Sequence, residues 1–136
     1  MNEQDIANGI MKTFINIDKL EKAIDQFSCF DYESNHYLFE FKSRNTLYNP
    51  WIIERYKLDC NCDIADNSNK DFIYVTECLN TGYIWNISKL KRNNYDFKFE
   101  VRSAPESTEL PNKNNRNMID KEVGYLYVED AVIIKL

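Results

Sequence analysis

Asp31, Glu40 and Lys42 are the residues of this chain whose types and spacing point most directly to chemistry. In the run His36-Tyr37-Leu38-Phe39-Glu40-Phe41-Lys42, aromatic side chains fall on every second position, the pattern of a strand. Tyr37, Phe39 and Phe41 are expected to enter a core from one face, leaving Leu38, Glu40 and Lys42 on the other. A Glu and a Lys two positions apart on one strand face stand roughly 7 Å apart at their backbones, so both can reach one bound phosphate and its metal. Asp31 precedes them across Glu33-Ser34-Asn35-His36, a polar cluster that reads as a hairpin turn. A two-residue turn at Ser34-Asn35 sets Asp31 opposite Leu38 and diagonal to Glu40; a four-residue turn sets it opposite Glu40 itself. Both registers bring the two carboxylates to one face, and a one-residue slip would separate them. Side by side they repel one another unless they share a cation, so Mg²⁺ or Mn²⁺ is the natural occupant.

Several elements must position these side chains. Ile6, Ile10, Phe14, Ile17, Leu20, Ile24 and Phe27 recur at three- and four-residue steps and predict a helix over 4–27. Gly9 weakens its first part, and Asn16 and Asp18 mark a place where it can break in two. Residues 27–43 form the hairpin. Asn49 as N-cap and Pro50 as first helical residue predict a second helix over 50–64, with Ile52, Tyr56, Cys60 and Ile64 on one stripe. Residues 71–79 and 82–90 predict a second hairpin around Asn80-Thr81-Gly82, with a positive φ at Gly82, and residues 87–93 a short basic helical turn. Residues 97–103 read as a strand, and 105–117 as a long polar loop, the most mobile internal segment. Residues 122–128 and 131–136 close the chain as two strands, or as one interrupted at Glu129-Asp130. The order is not the strict βαβ alternation of a doubly wound sheet. One α/β domain over 1–136 is expected, with a mixed sheet of at least four strands and helices on its faces.

Composition bounds what such a domain can be. With 136 residues, 43% apolar and 14% aromatic, the chain can build a core without staples. No apolar run approaches the roughly 18 residues a membrane span needs. The start, MNEQDIANG, lacks the basic-then-apolar layout of a secretory signal, so a cytoplasmic location is expected, the host cell's if the source is viral. Cys29, Cys60, Cys62 and Cys78 contain one C-x-C and no C-x-x-C. Zinc on Cys60, Cys62 and His36 is conceivable; buried or idle free thiols are the plainer reading. A net charge of −5 is awkward for a chain that meets phosphates and weighs against tight non-specific DNA binding. It does not exclude an enzyme whose metal site itself concentrates carboxylates. The abundance of Asn, Lys and Ile points to an AT-rich source genome.

Asp31, eight intervening residues and then Glu40-Phe41-Lys42 resemble the signature of the PD-(D/E)XK nuclease superfamily, especially its small phage-type members. A helix before the hairpin, a second after it carrying Glu54 and Lys57, a further hairpin and the late Arg102-Ser103-Ala104-Pro105 extend the resemblance over residues 3–102. Phe30 stands where the family usually has the Pro before its first Asp. The resemblance implies a restriction endonuclease-like mixed β-sheet flanked by helices, and a metal-dependent endonuclease that hydrolyses DNA phosphodiesters. Asp31, Glu40 and the carbonyl of Phe41 would hold Mg²⁺ or Mn²⁺, and Lys42 would position the attacking water or stabilise charge growing on phosphate. Glu3 is the acidic residue that the first helix could add; Glu54 and Lys57 would orient the site or touch the substrate backbone. DNA is the expected partner and a homodimer the expected state, since a chain this short offers little surface to grip a duplex alone. The rival readings are an inactive module on the same fold that meets a protein partner, and a purely structural accessory protein. Plainer roles also exist: Glu54 with Lys57 as a helix-surface pair, His36 as a turn residue, Trp51 and Trp85 as core or interface, and Lys89, Lys91 and Arg92 as a solvated turn.

Overall fold

The computed structural model describes residues 1–14, 20–24, 29–106 and 117–136. Helix α1 spans Glu3–Thr13 and opens with a capping box. The Asp5 amide donates to Asn2 Oδ1 at 2.8 Å, and the Asn2 amide donates to Asp5 Oδ2 at 3.1 Å. Ile6, Ala7 and Ile10 form its buried face. Gly9 belongs to the packing: a Cβ there would stand 2.6 Å from the Leu136 side chain. The helix expected over 4–27 is therefore much shorter. Phe14 is already extended at φ −111°, and Glu21–Lys22 form a short strand, β1. The proposed break at Asn16 and Asp18 lies outside the described residues, as do 25–28.

The remaining elements are β2 (Tyr32–Glu33), β3 (Tyr37–Arg44), β4 (Trp51–Glu54), α2 (Arg55–Asn67), β5 (Asp71–Cys78), β6 (Thr81–Asn86), α3 (Ile87–Arg92), β7 (Glu100–Pro105), β8 (Met118–Leu126) and β9 (Val132–Lys135). Six strands make one mixed sheet in the order β1-β2-β3-β5-β6-β9. Within it β3 and β5 run parallel, linked through α2, and the other pairs are antiparallel. A second, antiparallel sheet has the order β4-β8-β7. The protein is thus mixed α/β, with a mixed multi-stranded sheet, a second sheet and flanking helices.

Both faces of β3 are covered. Phe39 and Phe41 pack with Ile73 and Val75 against Ile6 and Ile10 of α1. Leu38 joins Phe72, Tyr74 and Trp85 in a second cluster with Leu58, Cys62 and Ala65 of α2 and with Trp51, Ile53 and Leu126 of the smaller sheet. Burying one such Leu or Ile contributes about 1.5–3 kcal/mol. The face of β3 that carries Leu38 and Glu40 is therefore the floor of a second core. Glu40 itself is 2% exposed.

The helix expected over 50–64 starts later and turns differently. Trp51–Glu54 is a strand, alternately buried and exposed, paired with β8 through Trp51↔Leu126 and Ile53↔Gly124. Asn49 caps no helix; its side chain accepts from the Val128 amide and donates to Glu129. In α2 the buried face is Leu58, Asn61, Cys62 and Ala65, whereas Ile52 and Tyr56 are exposed. Sequence periodicity read the stripe off by about two residues because Trp51-Ile52-Ile53, rich in β-branched and aromatic character, takes a strand from a distant partner.

The second hairpin is as expected, but its turn is not. Leu79 and Asn80 take positive φ (51° and 66°), whereas Gly82 does not. Gly82 lies in β6, where a Cβ would meet Ile134 and Leu136 at 3.2 Å. The turn is closed by Glu77 Oε2, which accepts from the Asn80 amide at 2.9 Å. Of residues 97–103 only the last four are strand, and Pro105 belongs to β7, paired with Met118. The mobility expected of the 105–117 loop falls on 107–116, outside the described residues. The closing strands are two, in different sheets, separated by a 3₁₀ turn at Val128–Asp130. Cys29 and Cys60 form a disulfide, a correction to the free-thiol reading and to zinc on Cys60. Cys62 and Cys78 are free and buried.

Candidate active site

The hairpin that carries the expected residues has the register of the four-residue turn, with Glu33↔Leu38 and Tyr32↔Phe39. One residue further the ladder slips, as a β-bulge does: the Asp31 amide donates to the Phe39 carbonyl at 2.8 Å although Tyr32 is already Phe39's partner. Asp31 is further held by the Ala23 amide, which donates to its carbonyl, and by the Phe41 amide, which donates to its Oδ2 at 2.8 Å. Its carboxylate thus reaches past Glu40 to the main chain of Phe41.

Around Glu40 the structure gathers three side chains from two elements. Lys42 Nζ lies 3.6 Å from Glu40 Oε1, and Lys57 Nζ lies 3.4 Å from the same oxygen. Asn61 Nδ2 donates to Glu40 Oε2 at 3.4 Å and to the Cys29 carbonyl at 3.0 Å. Lys57 and Asn61 are four apart on α2, so one helix face delivers both. The Asn61 Oδ1 atom is buried and has no hydrogen-bond partner among the described residues.

The charges respond to this packing. Burial pushes the Glu40 carboxyl up; Lys42 and Lys57 oppose the rise, Asp31 adds to it, and the net direction is upward. Glu3, in the first turn of α1, is also held above the usual carboxylate range, first by burial and then by Asp31. Burial pulls the Lys57 ammonium down, but the Glu40 carboxylate prevails and holds it above its ordinary value. Glu3 and Asp31 therefore sense one another, as do Asp31, Glu40 and Lys57.

Glu54 stands elsewhere than expected. It ends β4, before the helix, and pairs with Lys121 of β8 at 2.9 Å, whereas Lys57 pairs with Glu40 and feels Glu54 only electrostatically. The two sheets enclose a cleft of about 160 Å³ whose charged lining is Lys42, Arg44, Lys57 and Lys121 against Glu40 and Glu54. Four basic groups facing two acidic ones make the cleft positive in a chain whose net charge is −5. Asn61, Arg44 and Lys121 were not singled out from sequence. The four-residue spacing of Lys57 and Asn61 was a visible signal; the reach of Lys121 to Glu54 depends on pairing between strands far apart in the chain. His36 is an exposed turn residue and both tryptophans are buried.

Among the described residues, no three His, Cys, Asp or Glu side chains form a ready-made metal-holding group. Glu3, Asp31 and Glu40 are nonetheless oxygen donors of the type a hard divalent cation takes, and Asp31 raises the carboxyls of both Glu3 and Glu40. No helix among the described residues is long and apolar enough to cross a membrane. In comparisons with known proteins, no family model, no curated protein and no solved structure matches the chain.

Proposed function

We propose that this protein is a metal-dependent endonuclease hydrolysing DNA phosphodiester bonds, of the PD-(D/E)XK kind, acting as a homodimer. The observation that carries the reading is the gathering of Glu40, Lys42 and Lys57 at a cleft that is positive in an otherwise acidic chain, with Asp31 near enough to raise the Glu40 carboxyl. The layout agrees with the resemblance: a helix before the hairpin, Glu40 and Lys42 on the strand paired with the Asp31 segment, and a helix after it.

Asp31 and Glu40 would hold Mg²⁺ or Mn²⁺, with Glu3 as a further acidic neighbour. When bound, the ion would supply Lewis-acid polarisation of the phosphodiester and a more acidic attacking water. The protein's own groups do the rest. Lys42, whose side chain is 34% exposed, can approach substrate and offset charge growing on the phosphate. Lys57 favours the ionised form of Glu40, and Asn61 fixes the orientation of its second oxygen. Arg44 and Lys121 line the path along which the DNA backbone would run.

A catalytically inactive module is favoured by one observation: Glu40 is nearly fully buried and already ion-paired to two lysines. Thermal unfolding with and without millimolar Mg²⁺, Mn²⁺ or Ca²⁺ separates the two readings. The nuclease reading expects a metal-dependent rise in Tm that Asp31→Ala abolishes. An unchanged Tm with all three ions favours the inactive module.

A further inference from the structure

Beyond Glu40 the cleft opens into a second cavity of about 350 Å³, bounded in part by Lys42, Ile52 and Tyr74, which also line the cleft itself. That volume reaches the lower end of the range for small-molecule sites, roughly 300–1,000 Å³. Its chemistry is not that of a plain phosphate channel. Trp51 lines it at 4% exposure, and its indole N–H, buried with the ring, donates to nothing among the described residues. A buried N–H without an acceptor is costly and rare, and a carbonyl admitted by a small shift of the cavity wall would satisfy it. Tyr48, about half exposed, stands edge-on to Trp51 with ring centroids 5.3 Å apart, leaving a ring face for a planar group. Arg44 and Arg102 close the lining, and neither forms a salt bridge among the described residues.

We propose that this cavity binds one unpaired nucleotide beside the scissile phosphate, so that the substrate is DNA that is single-stranded or frayed where it is cut. Tyr48 stacks on the base, the Trp51 indole N–H donates to a base carbonyl, and Arg44 and Arg102 take the flanking phosphate. In a continuous duplex both base faces are stacked and the Watson–Crick edge is paired, so such a pocket selects against it. The inference rests on the nuclease reading for its neighbouring scissile phosphate, but its test does not depend on cleavage.

The test is equilibrium binding without divalent metal, by fluorescence anisotropy, of a labelled oligothymidine and of a duplex of equal length. The full-length protein is compared with Tyr48→Ala, which alters an exposed side chain, and with Trp51→Phe, which keeps an aromatic ring while removing the indole N–H and part of the ring volume. The expected result is tighter binding of the single strand, weakened about ten- to a hundredfold by Tyr48→Ala and less by Trp51→Phe, with duplex binding unchanged. Equal affinity for both forms, or single-strand binding unaffected by Tyr48→Ala, overturns the inference. If that occurs while metal-dependent cleavage of duplex persists, only the subsite falls. If Tyr48-dependent single-strand binding persists and no DNA form is cut, only the nuclease reading falls.

Discussion

At Glu40 the proposed metal site and the stability of the fold meet, and a single substitution can separate the two. Its carboxylate is shut away from water, and burial outweighs the help of Lys42 and Lys57, so the ionised form is held in the folded protein at a cost. Glu40→Gln keeps the shape and the contact with Asn61 while removing that charge. In metal-free protein at neutral pH its Tm should equal or exceed that of the wild type, although metal-induced stabilisation should vanish. Were its ion pairs with Lys42 and Lys57 instead net stabilising, breaking them would destabilise by about 3–5 kcal/mol, and calorimetry would show a marked fall in Tm. At this scale the sequence was readable where neighbours alone decide. The alternation around Glu40 located the strand, and the E-x-K spacing set Glu40 and Lys42 close enough to pair. It could not show that both faces of β3 would be covered, because α2 and the smaller sheet arrive from elsewhere in the chain.

At the scale of elements, the position of α2 decides whether the site exists. Its inner face places Lys57 and Asn61 against Glu40, and Cys60 ties the same helix to Cys29, two residues before Asp31. With 31 residues of separation, chain-entropy reasoning gives this link a stabilisation of about 3–4 kcal/mol. Cys60→Ser, or reduction of the wild type, should lower the denaturant midpoint by a corresponding amount and weaken metal-induced stabilisation together with it. Identical midpoints with and without reductant would show that the link carries no such load. Neither the pairing nor the helix boundary was legible beforehand. Asn49-Pro50 reads locally as a helix start, yet pairing with β8 makes residues 51–54 a strand. The first hairpin, by contrast, depends on a short-range turn, and one of its two expected registers is the one that formed up to the bulge at Asp31.

For the whole molecule, an acidic chain would still be able to receive DNA if its basic groups were gathered in one place, and Lys42, Arg44, Lys57 and Lys121 do line one cleft. A homodimer would bring two such clefts to two strands. Light scattering across micromolar concentrations should give twice the chain mass, and a monomer at every concentration would remove that part of the proposal. The most direct test of the central claim is metal-dependent cleavage, with plasmid, single-stranded and branched DNA offered to purified protein in Mg²⁺ or Mn²⁺. The expected result is cutting of at least one form by the wild type and none by Asp31→Ala or Glu40→Ala. Lys42→Ala should keep the metal-induced rise in Tm and cut about 10²–10³ times more slowly, the scale of losing one charge-stabilising group. Absence of cutting in every form, or an Asp31→Ala protein that cuts as the wild type does, would contradict it.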